Sequence, residues 1–377
     1  MTTLPRPEID EHGLLEYSVV YTDRALNHMS QKFQTALREI SATLKKVYGA
    51  DYAAVVPGSG TSGMEAVARQ LARDEKCLII RNGFFSFRWT QILEQGRIAA
   101  DTRVFTARQS DAPQAPFAPA PIEEVAAAIA EYRPAVVFAP HVETASGIML
   151  PDDYIQALAK AVHAVGGLLV IDCIASGCIW LDMQKLGIYV LISAPQKGWS
   201  GSPCCGLVML SEAAYQKVQA TESDSFSLDL KKWLAIMAAF ENGGHAYHAT
   251  MPTDALLVLR EVMQEAEAIG FDKLKAAQTE LGAKMRALLA AQGFPSVAAA
   301  GFEAPGVVVS YTTHPEIQNG KAFAAQGMQI AAGVPLQCGE RSDFSTFRLG
   351  LFGLDKLQNI ERTVAAFADI LARVENA

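Results

Sequence analysis

Charge is scarce in this chain: 19% of its 377 residues are Asp, Glu, Lys or Arg, 50% are hydrophobic, and 40 acidic residues outnumber 32 basic ones. That composition excludes a disordered or fibrous polymer and describes a large, well-buried globular protein, long enough for two domains. Lys and Arg nowhere cluster. A net charge of −8 and a pI near 5.5 leave no electrostatic footprint for nucleic acid or an anionic membrane, so a small-molecule partner is expected. Long apolar runs are also missing. The opening MTTLPRPEIDEHGLLEY has neither the basic nor the apolar region of a secretion signal, and later apolar stretches are broken by charge or glycine well short of a bilayer span. A cytosolic location is therefore expected. The six cysteines, Cys77, Cys173, Cys178, Cys204, Cys205 and Cys338, form no C-x-x-C pair at zinc-ligand spacing, and reduced, mostly buried thiols are expected, with no metal. Repeats and low-complexity tracts are lacking, and the Pro/Ala-rich stretch 111–121 reads as a surface loop.

What is present alternates. Phe33, Ala36, Leu37, Ile40, Leu44 and Val47 recur at helical spacing, which predicts an amphipathic helix from Ser30 to Tyr48. Apolar runs suited to buried strands follow at Tyr52–Val56, Cys77–Ile80, Ala135–Ala139, Leu168–Asp172, Val190–Ser193 and Gly206–Leu210, with helix-like segments at Ser62–Ala72, Phe85–Glu94, Ile122–Tyr132 and Asp153–Val165. Strands separated by helices of this length imply right-handed crossovers and a mostly parallel sheet covered on both faces. Ligands of such sheets sit at the carboxyl ends of the strands. After Pro252 the pattern changes to long helices (Asp254–Ile269, Lys273–Ala291), a strand at Gly306–Val309, a helix from Gln318, the strand Thr346–Gly350 and a last helix from Leu354. The expected division is an N-terminal arm (1–29), a large domain (30–252) and a smaller α+β domain (253–377).

Three strand ends carry chemistry. Gly58-Ser59-Gly60-Thr61-Ser62-Gly63 follows the first strand and opens a helix, where backbone N–H groups and hydroxyls can cradle a phosphate. Its spelling also fits the dinucleotide fingerprint, although the next strand ends in Arg81 rather than the acidic residue a ribose requires, leaving NADP as the dinucleotide version; an ordinary strand-to-helix turn is the third reading. Leu168–Asp172 ends in a carboxylate whose burial calls for a cationic partner, such as a protonated pyridine nitrogen. Ser193-Ala194-Pro195-Gln196-Lys197-Gly198 puts a lysine directly after another apolar strand, where partial burial lowers its pKa and frees it as a nucleophile. Each residue alone has a bland structural reading; the three in this order are far more specific.

From about His28 onward the chain resembles the class V aminotransferases, which are fold-type I pyridoxal 5'-phosphate (PLP) enzymes, on the alanine–glyoxylate and serine–glyoxylate side. The resemblance implies a seven-stranded-type sheet with PLP held by Lys197 as a Schiff base and Asp172 on the pyridinium. Ser59, Gly60 and Thr61 resemble the phosphate turn; Phe85, in Asn82-Gly83-Phe84-Phe85, resembles the ring stacked on the cofactor. Thr144, in Glu143-Thr144-Ala145-Ser146-Gly147, is similar to the hydroxyl near O3′, with Ser176 close behind Asp172. Gln196 matches the family's phosphate-side partner of the lysine, and Tyr247 and Thr250 match a stretch that reaches the neighbouring subunit's phosphate. Arg348, in Phe347-Arg348-Leu349-Gly350, matches the arginine for the substrate carboxylate. A homodimer with shared active sites, moving an amino group from an alanine- or serine-like donor to glyoxylate or pyruvate, is what the resemblance implies. Two departures stand out. Tyr189 occupies the place of the family's usual Asp, and Tyr17–Arg24 replaces the usual P-G-P start, which leaves substrate identity open.

Rival readings remain. Cys338, shortly before Arg348, sits where some cysteine desulfurases keep a nucleophilic thiol, but Gln196 stands where those enzymes usually have His. An NADP-dependent oxidoreductase would use the glycine loop with Arg81. A PLP-binding regulator would need a DNA-binding domain for which no residues are left over.

Overall fold

A computed structural model describes residues 4–375. Seven strands form one sheet: β1 (Tyr52–Pro57), β2 (Lys76–Arg81), β3 (Asp101–Thr106), β4 (Val136–Pro140), β5 (Leu168–Asp172), β6 (Val190–Ser193) and β7 (Cys205–Leu210), in the order β1-β7-β6-β5-β4-β2-β3. From β3 to β6 the pairing is parallel, with Pro140 opposite Asp172 and Asp172 opposite Ile192. β7 runs against both of its neighbours, β6 and β1. Reversing β7 lets β1 point the same way as β2 to β6, so six carboxyl ends share one edge of the sheet. The fold class expected from the sequence is the one found.

The first helix, α1 (Gln31–Tyr48), starts where Ser30 Oγ accepts the Phe33 N–H at 3.1 Å and ends at Gly49, whose φ of 62° favours glycine. Its apolar stripe of Phe33, Leu37, Ile40 and Leu44 is buried, each side chain stabilising by about 1.5–3 kcal/mol. α2 (Gly60–Leu71) and α3 (Phe84–Gln95) follow β1 and β2, while α4 (Ile122–Tyr132) and α5 (Asp152–Ala164) precede β4 and β5. The two helices after Pro252 are Thr253–Ile269 and Phe271–Ala291. Leu256, Leu259 and Met263 of the first join the core around the large sheet, whereas Ala266 and, from the second, Leu274, Leu281 and Met285 belong to another core. That second core packs on a three-stranded antiparallel sheet, β8 (Val307–Tyr311), β10 (Thr346–Gly350) and β9 (Ala331–Ala332), in the order β8-β10-β9.

Three expectations need correcting. The helix read from Gln318 is two short ones, Pro315–Gln318 and Lys321–Ala325, because Gly320 adopts a φ of 81° between them. The last helix is likewise interrupted at Asn359, giving Leu354–Gln358 and Ile360–Glu375. Stretch 111–121 is irregular as expected, yet it is pinned inward: Phe117 is 1% exposed and its N–H donates to Val297 O at 2.7 Å. The six cysteines are free thiols, five of them buried. Among the described residues no helix is long and apolar enough to cross a membrane.

Candidate active site

A cavity of about 220 Å³ opens at the shared edge, lined by the segments that leave β1, β2, β4, β5 and β6. Its walls include Ser59, Gly60 and Thr61 from the first, Phe85 and Arg88 from the second, Thr144 from the third, Asp172 from the fourth, and Gln196 and Lys197 from the fifth. Eight of the sequence-derived candidates therefore meet in one place.

Ser59 caps α2: its Oγ accepts the Ser62 N–H, and Ser62 Oγ accepts the Ser59 N–H at 3.1 Å. Gly60 and Thr61 of that first turn line the cavity, and a helix N-terminus favours an anion. Gly60 packs closely on the segment after β5: a Cβ there would lie 2.6 Å from Cδ1 of Ile174, two residues beyond Asp172, and would oblige that side chain to shift.

Asp172 is 8% exposed and its Oδ1 accepts the Ile174 N–H at 2.9 Å. Burial pushes its pKa up to about 6, against the pull of that N–H and of nearby Lys197. Lys197 is held below the usual lysine range, again chiefly by burial, with Asp172 opposing. Its Nζ donates to Thr144 Oγ1 at 3.4 Å and lies 5.7 Å from the centres of both the Phe85 and the Phe352 ring. A lysine in that setting spends more of its time as the neutral nucleophile.

Phe85 is placed by a residue not singled out beforehand. Glu143, fully buried, accepts the N–H groups of Phe85 (3.1 Å) and Ser86 (2.8 Å), the Ser86 hydroxyl (2.6 Å) and the Ala145 N–H (2.9 Å). A carboxylate on the N-terminus of α3 satisfies orphan donors and complements the helix dipole. It thereby ties the segment after β4 to the segment after β2. Arg348 on β10 approaches the same ring, with Cζ 5.6 Å from the Phe85 centre, while its Nε and Nη1 donate to Ala332 O (2.8 Å) and Thr144 O (3.5 Å). Burial lowers its pKa from the usual arginine value.

Other candidates lie off the cavity. Ser176 Oγ is 2.7 Å from His141 Nδ1, a fully buried histidine whose pKa burial lowers to about 3. Tyr247, 55% exposed, touches Thr250 (Oη to Oγ1, 3.3 Å) and the ring of His28 in the N-terminal segment. Tyr189 stacks on His163 with ring centres 4.3 Å apart, at the opposite end of its strand from Lys197. Cys338 does not line the cavity; its Sγ bonds Arg81 O at 3.4 Å, and burial pushes its pKa up to about 12. A thiol held protonated and turned to a carbonyl is a poor nucleophile. Arg81 donates to Gln337 O and Thr90 Oγ1 and stacks on Phe87, rather than facing the glycine loop. β1 is moreover an edge strand with an antiparallel neighbour, unlike the central parallel strand from which a dinucleotide loop springs.

Comparison with known proteins agrees with this geometry. The family profile described as Aminotransferase class-V matches residues 5–341. The chain is 30% identical over 362 residues to a 2-aminoethylphosphonate–pyruvate transaminase of Paraburkholderia phymatum, covering 93% of this chain and 90% of that one. It is 30% identical over 342 residues to the transaminase of the same name from Pseudomonas aeruginosa strain PAO1, covering 88% and 86%. Among solved structures, an alanine–glyoxylate aminotransferase from Nostoc sp. superposes with a TM-score of 0.76 at 21% identity, over 92% of this chain and 89% of that one. A cysteine desulfurase from Thermococcus onnurineus reaches 0.67 at 14% identity, over 98% and 90%, so fold alone does not separate the two reactions. Profile, relatives and cavity together place this chain in the class V aminotransferase family.

Proposed function

We propose that the cavity holds PLP on Lys197 and that the enzyme moves an amino group from a small amino acid, alanine- or serine-like, to a small 2-oxo acid, glyoxylate or pyruvate, in two half-reactions. The observation that carries this reading is the pairing of a buried carboxyl, Asp172, with a buried amine, Lys197, on adjacent strand ends beside a helix N-terminus. The residues fit the cofactor: Asp172 is a buried acid that a protonated ring nitrogen would relieve, and Ser59, Gly60 and Thr61 bring the N-terminus of α2 to the same cavity.

When bound, PLP supplies the electron sink for the negative charge left at the substrate Cα. Ser59, Gly60, Thr61 and Gln196 would hold its phosphate at the α2 N-terminus, Phe85 would cover its ring, and Thr144 would stand beside its O3′. Lys197, as a free amine, would take and return the Cα proton. Burial lowers its pKa and so raises the share of neutral amine able to accept that proton. Arg348 orients the substrate through a bidentate grip on an anionic group, a task its planar fork suits.

Tyr247 and Thr250 would complete the phosphate site of a second copy of the chain. Their exposure, together with that of Leu14 (91%), Tyr17 (90%), Val19 (102%) and Phe226 (77%), supports a homodimer with shared sites. Six cysteines held as free thiols, five of them buried, suit the reducing interior of a cytoplasmic enzyme. The names of the relatives favour a second donor, 2-aminoethylphosphonate, whose phosphonate would take the place of the carboxylate on Arg348. Initial rates with alanine, serine and 2-aminoethylphosphonate against each acceptor rank the donors.

Lys197→Ala tests the reading as a whole. The variant should fold, retain PLP without a covalent link and lose amino transfer by several orders of magnitude. Lys185→Ala, at a side chain 80% exposed, should behave like the parent. Near-normal turnover in the Lys197 variant contradicts the proposal.

A further inference from the structure

One cavity-lining cation has no task in the reading above. Arg88 lies one helical turn beyond Phe85 in α3 and borders the same space as Ser59, Thr61, Asp172 and Lys197. Positions three apart share a helix face, so Arg88 and Phe85 point the same way. The Arg88 Nη1 donates to Thr61 Oγ1 at 2.9 Å, and its Cζ lies 5.3 Å from the centre of the Phe85 ring. Among the described residues no carboxylate forms an ion pair with it. Its charge is nonetheless felt inside the cavity, where it favours the ionised form of Asp172 and the neutral form of Lys197.

The Thr61 hydroxyl has one proton to give and lone pairs to fill. With Arg88 occupying a lone pair, that proton is aimed away from α3, and donation from a cation makes the hydroxyl a stronger donor in turn. The planar guanidinium meanwhile lies against the Phe85 ring, which a point charge does far less well.

We infer that Arg88 is a positioning residue: one guanidinium braces Thr61, at the phosphate end of the cavity, and Phe85, the ring that covers it, and sets the spacing between them. This inference rests on the PLP reading. It makes Arg88 act on the cofactor mainly through the phosphate turn and only secondarily through the ring.

The test is equilibrium dialysis of cofactor-free protein against PLP and, separately, against pyridoxal, which lacks the phosphate. Arg88→Gln should weaken PLP roughly 10- to 100-fold, the range of one charge-assisted hydrogen bond. Pyridoxal should change by no more than about 5-fold, the range of an exposed cation–π contact. Arg88→Lys should recover little of the loss. Thr61→Val should show the same selective weakening, and the double variant should bind PLP no worse than about the weaker single one, since both remove one interaction. Equal weakening of both compounds, an unchanged PLP affinity, or full rescue by Lys each overturn the brace. If Arg88→Gln does not fold, as judged by circular dichroism, Thr61→Val decides alone: binding PLP like the parent overturns the inference. A parent that binds neither compound overturns the cofactor reading itself, and the brace with it.

Discussion

Burying the Asp172 carboxyl disfavours its charged form, so the folded protein keeps its proton up to a pH of about 6 while the unfolded chain releases it near 3.8. Between those values the folded state binds more protons than the unfolded one, and stability must fall as pH rises. In cofactor-free protein this contribution amounts to on the order of 3 kcal/mol, complete by a pH somewhat above 6. Urea titrations of parent and Asp172→Asn from pH 4 to 7 measure it: the parent should lose stability across that window and the variant should not, while the variant's transamination drops by orders of magnitude. Parallel profiles would show that the carboxyl is relieved inside the apoprotein. Arg348 and Cys338 separate the chemistries. Arg348→Ala should weaken substrate roughly 30- to 1000-fold, with Lys a poor substitute, because a fork is replaced by nothing or by a point charge. Cys338→Ser should leave transamination within a few-fold of the parent; its abolition, with sulfur released from cysteine faster than alanine or serine is transaminated, would reinstate the desulfurase. At this scale the sequence disclosed the residues whose setting is local: Asp172 ends an apolar run and Lys197 follows shortly after another. Glu143 is legible only as part of a motif, since the α3 groups it holds lie 57 and 58 residues away, and no spacing rule reports that. Arg88 carries no signal in the sequence, because its helix position gives no sign that Thr61 Oγ1 lies 2.9 Å from its guanidinium.

The element that decides the architecture is β7. Its apolar run reads like any buried strand, and its reversal is invisible in composition because a strand buried on both faces has the same pattern in either direction. Where β7 passes α2 the two backbones approach closely: a Cβ on Gly206 would lie 2.7 Å from both N and Cα of Gly63. Backbone atoms there cannot swing aside. Gly206→Ala should therefore destabilise by about 1–3 kcal/mol, the usual cost of overpacking, read as a lowered urea midpoint; an unchanged midpoint would mean that α2 slides freely on the sheet. Strands flanked by Gly and Pro and helices with a strong apolar stripe were legible to within a residue or two, as α4, β5, β6 and β10 show. β3 was not, since Asp101–Thr106 is an edge strand with alternating partial burial and little apolar content. The breaks at Gly320 and Asn359 also escaped, being single-residue changes of backbone angle inside helical composition.

For the whole molecule, the arm and the Tyr247–Thr250 segment expose apolar and aromatic groups that a lone chain leaves in water. If that segment completes a neighbour's site, mixing Lys197→Ala with a Tyr247→Phe/Thr250→Ala double variant should restore activity, because one site of each mixed dimer carries both lesions and the other neither. No recovery after verified subunit exchange would mean that each site is built within one chain. The central claim, that Lys197 carries the cofactor, has a more direct test. Purified protein supplied with PLP is reduced with borohydride, digested, and its peptides mapped by mass spectrometry. The account predicts a yellow protein that bleaches on reduction and a pyridoxyl group fixed on Lys197; absence of the label, or its placement on any other lysine, would contradict it.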